Sequence, residues 1–326
     1  MRGFWRYLAR RLAQAVVTLF LLASLIFLLF RLVPGDPVSM YVDVGMTQEA
    51  RAMVLHQFGL DRPLGEQYLL YLSNLLRGNF GVSFQYGKPA LQVVGERFWA
   101  TVLLMAASLL IAFVLGVAGG AFLAWQRGTW LEALGTVVAL VLRSAPVFWS
   151  GMILLSIFAF KLKWFPLGGI RATGLELHSQ WEKFLSWDFL HHLFLPALTA
   201  GLYSLASPLL VMRTSMLDVI REDFIELARA KGLKEYQVVF RHAVRNSLLP
   251  VITVMAVMVG FAIGGVVLVE TVFRWPGLGR EIVMAVRARD YPVAQTCFIL
   301  IGATVMLFNL LADLLYGYLD PRVVWD

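Results

Sequence analysis

The feature that most constrains this chain is a series of long apolar runs that carry almost no acidic or basic side chains. There are six such runs, and only the third contains a charge, Arg143. Each meets or approaches the roughly 20 residues that a helix needs to cross about 30 Å of hydrocarbon. The runs are Leu12–Phe30, Phe98–Gln126, Ala133–Phe160, Leu193–Met212, Asn246–Val269 and Tyr291–Ala312. We therefore predict an all-α integral membrane protein with six transmembrane helices.

Composition agrees with a membrane class and excludes several others. Hydrophobic residues make up 59% of the chain and charged residues 15%, whereas a soluble domain carries roughly 25% charged residues. The runs are continuous rather than alternating, which argues against a transmembrane β-barrel. Basic residues beside the runs give the net charge of +7, and they orient a membrane protein there, so no nucleic-acid partner is expected. The single cysteine, Cys297, provides no disulfide framework.

Basic residues before the first run predict the orientation. The residues before Leu12 include four arginines and no acid, which places the N-terminus in the cytoplasm and, after six spans, the C-terminus there too. Segments 31–97, 161–192 and 270–290 then lie outside. The last of these argues for the reverse orientation, because it contains Arg274, Arg280, Arg287 and Arg289. The first helix usually dominates topology, and we follow it. Its apolar run is too long for a cleaved signal peptide.

The predicted organisation is one membrane domain with an N-terminal extension. Within the long outside segment, helical periodicity at Gln48–Phe58 and Gly65–Leu76 predicts surface helices, and Gly78–Gly81 is typical of a turn. The predicted boundaries are 1–97 for the first helix and the outside segment, 98–318 for the transmembrane domain with a cytoplasmic region at 214–247, and 319–326 for a cytoplasmic tail.

The charged segment between the fourth and fifth runs has the pattern of a docking element. Its acids alternate with apolar residues, which predicts an amphipathic helix over 214–231 with Ile220, Phe224, Leu227 and Ala230 on its apolar face. Gly232 is placed to end that helix, and Pro250 is expected to begin the fifth span. Two short helices joined at a glycine would present a small apolar tip ringed by charge. Such a tip suits docking into a groove of a soluble partner; an ordinary solvated loop is the alternative.

Motifs along the chain resemble one transporter family. The pattern Glu226-Leu-Ala228-x3-Gly232 resembles the EAA motif of ABC importer permeases, with Leu227 where alanine is usual, and the long spacing to Pro250 is similar to the peptide-transporter branch. On these motifs the chain is identified as a member of the dipeptide/oligopeptide-type ABC importer permeases, B-type subunit. Further matches are Pro34-Gly-Asp-Pro37, Phe58-Gly-Leu-Asp61-Arg62-Pro63, Leu76-Arg-Gly78-Asn-Phe80-Gly81-x-Ser83, Leu195-Pro196-Ala, Val269-Glu270-Thr-Val-Phe273-x-Trp275-Pro276-Gly277-Leu-Gly279, Arg289-Asp290-Tyr291-Pro292 and Leu319-Asp320-Pro321-Arg322.

The resemblance implies a MetI-like ABC importer permease fold with an extra N-terminal helix. It implies as partners a homologous second permease, two cytoplasmic ATPases, an extracytoplasmic peptide-binding protein and the bilayer of the cell membrane. The chain has no G-x-x-x-x-G-K-[ST] phosphate loop, so ATP and Mg²⁺ are expected on the ATPases. We expect this chain to bind no cofactor and to have no enzyme activity of its own. The residues expected to couple to the ATPase are Glu226, Ala228, Lys231, Gly232, Leu233 and Lys234.

Three ionisable residues are candidates for the transport pathway or its mouth. Arg143 lies near Pro146, which is expected to bend the third helix. It either faces a pathway or a subunit interface, or it extends to the membrane surface from a tilted helix. Glu270 and Asp290 are candidates for an extracytoplasmic mouth that attracts a peptide's ammonium group, and salt bridges to neighbouring arginines are the alternative.

The glycines in the runs and the two histidines directly before the fourth run are given structural rather than functional interpretations. Small residues let helices approach closely, which predicts helix packing at Gly260 and Gly264 and at a group of glycines in the second run. For Gly260 and Gly264, a flexible hinge is the alternative. Adjacent His191 and His192 show no third ligand, so no metal site is expected. The second-run group is Gly116, Gly119 and Gly120.

Two other classes compete with the permease. A stand-alone secondary transporter or channel would be expected to show ionisable residues in mid-span and an internal repeat, and beyond Arg143 neither is evident. A membrane enzyme would need a motif such as H-E-x-x-H or G-x-S-x-G, and the chain has neither. The sequence does not say whether the solute is a dipeptide, an oligopeptide, nickel or another compound. It favours a heterodimer of permeases over a homodimer only by resemblance.

Overall fold

The computed structural model describes residues 2–32, 62–172, 174 and 182–319, with side chains except at 2–4, 182–183, 260–265 and 315–319. The described part is helical, without a β-strand. The predicted helix Gln48–Phe58, the tail from residue 320 and the side-chain surroundings of Gly260 and Gly264 lie outside these residues. The helices are α1 (Arg2–Leu32), α2 (Leu64–Leu76), α3 (Ala90–Trp125), α4 (Trp130–Ser144), α5 (Val147–Leu154), α6 (Glu182–Leu185), α7 (Trp187–Ser204), α8 (Ala206–Val219), α9 (Asp223–Ala230), α10 (Glu235–Gln237), α11 (Val244–Val272), α12 (Leu278–Arg287) and α13 (Tyr291–Leu319).

Length and composition identify the membrane spans. Among the described residues, four helices are long and apolar enough to cross a bilayer, and the number rises to six if each of two bent helix pairs counts as one span. The four correspond to the first, second, fifth and sixth apolar runs. The all-α membrane class is therefore confirmed, and the count of six stays a prediction.

The third run is broken rather than merely bent. Helix α4 ends at Ser144, and the next helical stretch, Val147–Lys161, departs at 104°. Ala145 adopts an extended conformation, with ψ at 136°, because the ring of Pro146 disfavours the helical region for the residue before it. The position of the predicted bend is confirmed. The last residues of this stretch, Leu155–Lys161, form a π-helix.

The fourth and fifth runs differ from the sequence prediction. The single helix expected over Leu193–Met212 is two helices, α7 and α8, which meet at Leu205 with a 48° bend. The expectation that Pro250 begins the fifth span is wrong. Pro250 lies inside α11, which continues without a break from helical residues 235–243. Membrane helices tolerate an interior proline because nearby groups can satisfy the released backbone carbonyl.

Contacts divide the chain into two compact units. The first consists mainly of Met1–Trp99 and Gly277–Met306. Its core joins the start of α3 to α12 and the start of α13, and it includes Val93, Leu278 and Cys297. The predicted turn after α2 is confirmed, since Gly78 and Gly81 both have positive φ, at 72° and 83°, and α2 confirms the helix predicted over Gly65–Leu76.

The second unit comprises Ala100–Pro276 and Leu307–Trp325. Helices α3 and α8 approach closely here, as the second-run glycines predict: a Cβ added at Gly116 would lie 2.7 Å from the Pro208 ring, and one at Gly120 would lie 2.7 Å from Met212 Cβ. Close approach needs residues without side chains at these points. The domain boundaries predicted near residues 97 and 318 stay a prediction.

Candidate functional site

The loop between α9 and α10 is built on a complete helix C-terminal cap. Gly232 follows the last turn of α9 with φ at +77°. Its N–H donates to Arg229 O at 2.9 Å, and the N–H of Leu233 donates to Ala228 O at 3.4 Å. These two bonds are the pair that defines a Schellman motif, in which glycine is the preferred residue because it has no Cβ to strain the left-handed conformation. The predicted helix end at Gly232 is confirmed.

The amphipathic face of α9 differs from the one predicted. Ile225 and Ala228 are the buried residues, with 0% and 6% of their surface exposed. Phe224 and Leu227, which the sequence pattern assigned to the buried face, are exposed. The predicted helix over 214–231 is also interrupted, because α8 ends at Val219 and α9 begins at Asp223. A three-residue turn shifts the helical phase, so a single pattern across both helices selects the wrong face.

Exposed apolar side chains cluster in sequence around Gly232, and we call this set the apolar tip. Large apolar side chains at an exposed helix–turn–helix are unusual for a solvated loop, whereas they are typical of a helix that docks into a groove. Three predicted rim residues, Glu226, Lys231 and Lys234, are exposed as well. The tip consists of Phe224, Leu227, Leu233, Tyr236 and Phe240, whose exposed fractions lie between 37% and 57%.

An ion pair spans the loop. The Arg229 guanidinium donates to both carboxylate oxygens of Glu235, with Nη2–Oε1 at 2.8 Å and Nε–Oε2 at 3.3 Å. Both side chains are roughly half exposed, so the pair contributes little to stability but fixes α9 against the start of α10. The sequence analysis missed this pair. Its signal was the presence of opposite charges six residues apart, on either side of the glycine.

A buried core supports the tip from beneath. Ile225 and Ala228 pack in one cluster with Met212 and Met216 of α8 and with Val239, just before α11. The residues behind the tip are therefore continuous with the two helices that lead into the membrane. The tip is therefore supported by packed side chains and does not lie on a loosely attached loop.

A partly buried ion pair ties α8 to the turn between α3 and α4. The Arg213 guanidinium of α8 bonds the carboxylate of Glu132, with Nε–Oε1 at 2.8 Å. The other oxygen of Glu132 accepts the N–H of Gly128 at 2.6 Å. The Thr129 side chain caps the start of α4 by accepting the Glu132 N–H. The start of α4 and helix α8, which precedes the helix–turn–helix of the tip, are thereby joined by charge-assisted hydrogen bonds.

Arg143 lies in the last turn of α4, immediately before the break at Pro146. Its guanidinium carbon is 4.5 Å from the centroid of the Tyr203 ring in α7, which is a cation–π contact. The side chain is otherwise exposed. Both interpretations of Arg143, a pathway or interface residue and one that reaches the membrane surface, stay open predictions.

The two carboxylates proposed for a mouth are buried in this conformation. Glu270 is 0% exposed, and its Oε1 accepts the Thr101 hydroxyl at 2.6 Å. Asp290 is 1% exposed, and its Oδ2 accepts the Ser83 hydroxyl at 2.5 Å and the Gln85 N–H at 3.1 Å. Each carboxylate therefore fixes internal structure, and a role at the mouth stays a prediction. Sequence reasoning missed Ser83 and Thr101 as their partners.

His191 and His192 are used locally. His191 Nε2 lies 2.7 Å from Trp164 O, and His192 Nδ1 lies 2.8 Å from Asp188 O. Within the described part of the chain, no group of three metal-ligating side chains was found.

Comparisons with known proteins identify the family. The model of the binding-protein-dependent transport system inner membrane component matches residues 116–325, and the model of the corresponding N-terminal region matches residues 4–105. The chain belongs to this family. It is therefore a multi-pass inner-membrane permease subunit of an ABC importer, a class that works together with ATPase and binding-protein components.

Individual relatives narrow the resemblance. The chain is 40% identical to a putative peptide permease protein of Brucella suis biovar 1, over 98% of each protein. It is 39% identical to the di/tripeptide transport system permease protein DppB of Pseudomonas aeruginosa, over 97% of this chain and 98% of that protein. It is 36% identical to the glutathione transport system permease protein GsiC of Escherichia coli K12, over 97% and 98%.

A solved structure confirms the fold. The chain is similar to one in the MetNI methionine ABC transporter captured in inward-facing conformations, with a TM-score of 0.53 and 16% identity. The match covers 71% of this chain and 97% of the other. The predicted MetI-like fold is confirmed, and a stand-alone transporter or channel is not favoured.

Proposed function

We propose that this chain forms half of the translocation pathway of an ATP-driven importer for di- or oligopeptides, beside a homologous second permease. Two cytoplasmic ATPases carry the ATP and Mg²⁺, and an extracytoplasmic binding protein delivers the peptide. The N- and C-termini lie in the cytoplasm in this arrangement, on the same side as the apolar tip. The relatives support the peptide class, since three that match nearly the whole chain are named for peptides, di/tripeptides and glutathione.

The observation that carries the coupling proposal is the apolar tip on its glycine-capped loop. The loop is rigid where it meets the membrane helices, through Ile225 and Ala228, and apolar where it meets solvent, through Leu233 and its neighbours. A groove on an ATPase subunit would cover this apolar surface. Movement of the groove during ATP binding would then displace α8 and α11 together. Glu226, Lys231 and Lys234 would form the polar rim.

Site-specific crosslinking tests this assignment. The only cysteine is the buried Cys297, so Cys297→Ala provides a cysteine-free background. Leu233→Cys in that background is expected to crosslink to an ATPase subunit in native membranes, with a yield that changes when ATP is trapped. Leu76→Cys is the matched control, because Leu76 is also an exposed helical leucine, at 91%, and is expected to lie on the opposite side of the membrane.

Two outcomes decide the proposal. An ATP-dependent crosslink at position 233 and none at position 76 support the coupling role and the orientation together. A crosslink to the ATPase from position 76, or none from position 233 while the intact complex co-purifies, contradicts it.

A further inference from the structure

Four arginines lie between the fifth and sixth runs, and by the positive-inside rule they argue against the predicted orientation. The structure places three of them, Arg280, Arg287 and Arg289, on or directly after the outward side of one helix, α12. Helix α12 buries Leu278, Glu281 and Ala285. Its outward side therefore carries Arg280, Met284 and Arg287, which are spaced by four and three residues and so share one face. Met284 and Arg287 are exposed, and Arg280 is partly so. Arg289 follows two residues later and is exposed too. We call these four residues the α12 basic face.

The acids of the same segment are all turned inward. Glu281 is 5% exposed, and its Oε2 pairs with Arg97 Nε at 2.6 Å. It also lies near Tyr86, whose pKa is raised by burial first and by the Glu281 carboxylate second. Asp290 is held by Ser83. Segment 278–290 contains no other acid, so no acid of this segment lies beside the exposed guanidinium groups of Arg287 and Arg289.

Arg289 occupies a backbone position that favours glycine. Its φ is +52°. Its N–H donates to Val286 O at 3.1 Å, and the N–H of Asp290 donates to Ala285 O at 2.8 Å, which is the Schellman pair that caps α12. Arginine at this position is less stable than glycine. The structure describes no hydrogen bond or ion pair from the Arg287 or Arg289 guanidinium to another described residue. Arg289 therefore combines a strained backbone with a guanidinium exposed to solvent, which suggests that its side chain contacts another molecule.

We propose that the α12 basic face is a docking surface for an acidic patch on the extracytoplasmic binding protein. This inference rests on the proposed function, which places α12 outside the membrane. Arginine and methionine are both enriched at protein interfaces. Anionic lipid is the less favoured occupant, because a helix that binds a bilayer surface inserts one continuous apolar face. In α12, Leu278 and Ala285 are packed in the core of their own unit. The exposed apolar side chains, Met284 and Val286, lie about 200° apart around the helix and form no single face.

Binding of the purified binding protein to the complete transporter in nanodiscs tests the proposal. Arg287→Glu with Arg289→Glu is expected to lower the affinity about tenfold at low salt, mainly through slower association, and the difference should shrink at high salt. Arg289→Gly is expected to lower the affinity while raising the melting temperature of the complex, a combination that a purely structural arginine does not produce. Arg77→Glu, an exposed arginine at the end of α2, is the matched control.

Each outcome separates this inference from the proposed function. If the wild-type complex neither binds the protein nor shows hydrolysis stimulated by it, the proposed function fails and the inference with it. If the wild type does both and the α12 variants bind normally, only the inference is overturned. Equal losses in Arg77→Glu would indicate a nonspecific charge effect, and losses restricted to nanodiscs with anionic lipid would indicate a lipid site. Either result overturns the inference.

Discussion

At the residue scale, Gly232 shows how backbone geometry alone can select an amino acid. Its φ is +77°, and a Cβ built on it would meet no atom within 4 Å. A side chain would therefore not clash with any neighbour here. It is disfavoured only because the backbone is in the left-handed conformation. A non-glycine residue costs roughly 1–2 kcal/mol in this conformation, asparagine least and β-branched residues most.

Substitutions at Gly232 should therefore rank by backbone preference and not by size. We expect ATP-dependent uptake, at equal amounts of the protein in the membrane, to be reduced least in Gly232→Asn, more in Gly232→Ala and most in Gly232→Val. Uptake assays in membrane vesicles measure this order. Normal uptake with Gly232→Val would contradict the role of the capped loop in coupling.

The carboxylate of Asp290 should act as a structural anchor. Ser83→Ala removes one of its hydrogen bonds and leaves a buried carboxylate oxygen short of a donor, so we expect a loss of about 1–3 kcal/mol of stability. Thermal unfolding in detergent measures it. Ser73→Ala on the partly buried side of α2 is the comparison, and an equal effect there would argue against the anchor.

Residue-level prediction from the sequence succeeded where chemistry is local. Gly232 and Pro146 were placed correctly because a positive φ and the restriction that a proline ring imposes on the residue before it each act within one turn of chain. The burial of Glu270 and Asp290 was not predicted, because the hydroxyl groups that bind them lie 169 and 207 residues away in the sequence.

At the scale of helices, the contact between α3 and α8 depends on small residues. Gly120→Val would place a side chain against Met212 and the backbone carbonyl of Leu209, so the helices must separate. We expect strong destabilisation, about 1–3 kcal/mol or more from overpacking. Gly95→Ala in the same helix is the control, since a Cβ there meets nothing within 4 Å and alanine favours the helix by roughly 1 kcal/mol. Thermal unfolding of both variants tests the contrast, and equal stabilities would contradict it.

The ion pair between Glu132 and Arg213 should transmit motion from the loop to the turn after α3. Glu132→Gln is expected to reduce the transport achieved per ATP hydrolysed. The exchanged pair Glu132→Arg with Arg213→Glu should recover part of that loss, because the attraction is restored. Simultaneous measurement of uptake and hydrolysis gives the ratio. An unchanged ratio in Glu132→Gln would remove this pair from the coupling route.

Helix-level prediction failed at two prolines. The bend between α7 and α8 at Leu205 was not predicted, although Pro208 is a local signal for it: proline has no N–H to bond the Ser204 carbonyl four residues earlier, and its ring crowds that carbonyl, which kinks a helix there. Pro250 gave the opposite error: it was expected to begin a helix but lies inside one, because the rule that excludes proline from a helix interior is weaker in membranes than in water. On α9, the prediction exchanged the buried and exposed faces, because the turn after Val219 shifts the helical phase.

At the scale of the whole molecule, the apolar runs were sufficient to give the class, since hydrocarbon thickness fixes helix length. The family followed from motifs spread along the chain, and the comparisons confirm it. The solute did not follow, because nothing in the described residues forms an identifiable peptide site, and in the proposed assembly a separate binding protein performs much of the selection.

The most direct test of the proposed function is uptake of a labelled dipeptide into proteoliposomes that contain the chain with its co-purified partners. We expect uptake only when ATP is supplied on the side of the apolar tip and binding protein on the other side, with no uptake by the chain alone. Uptake by the purified single chain without ATP would contradict the importer and support a stand-alone transporter.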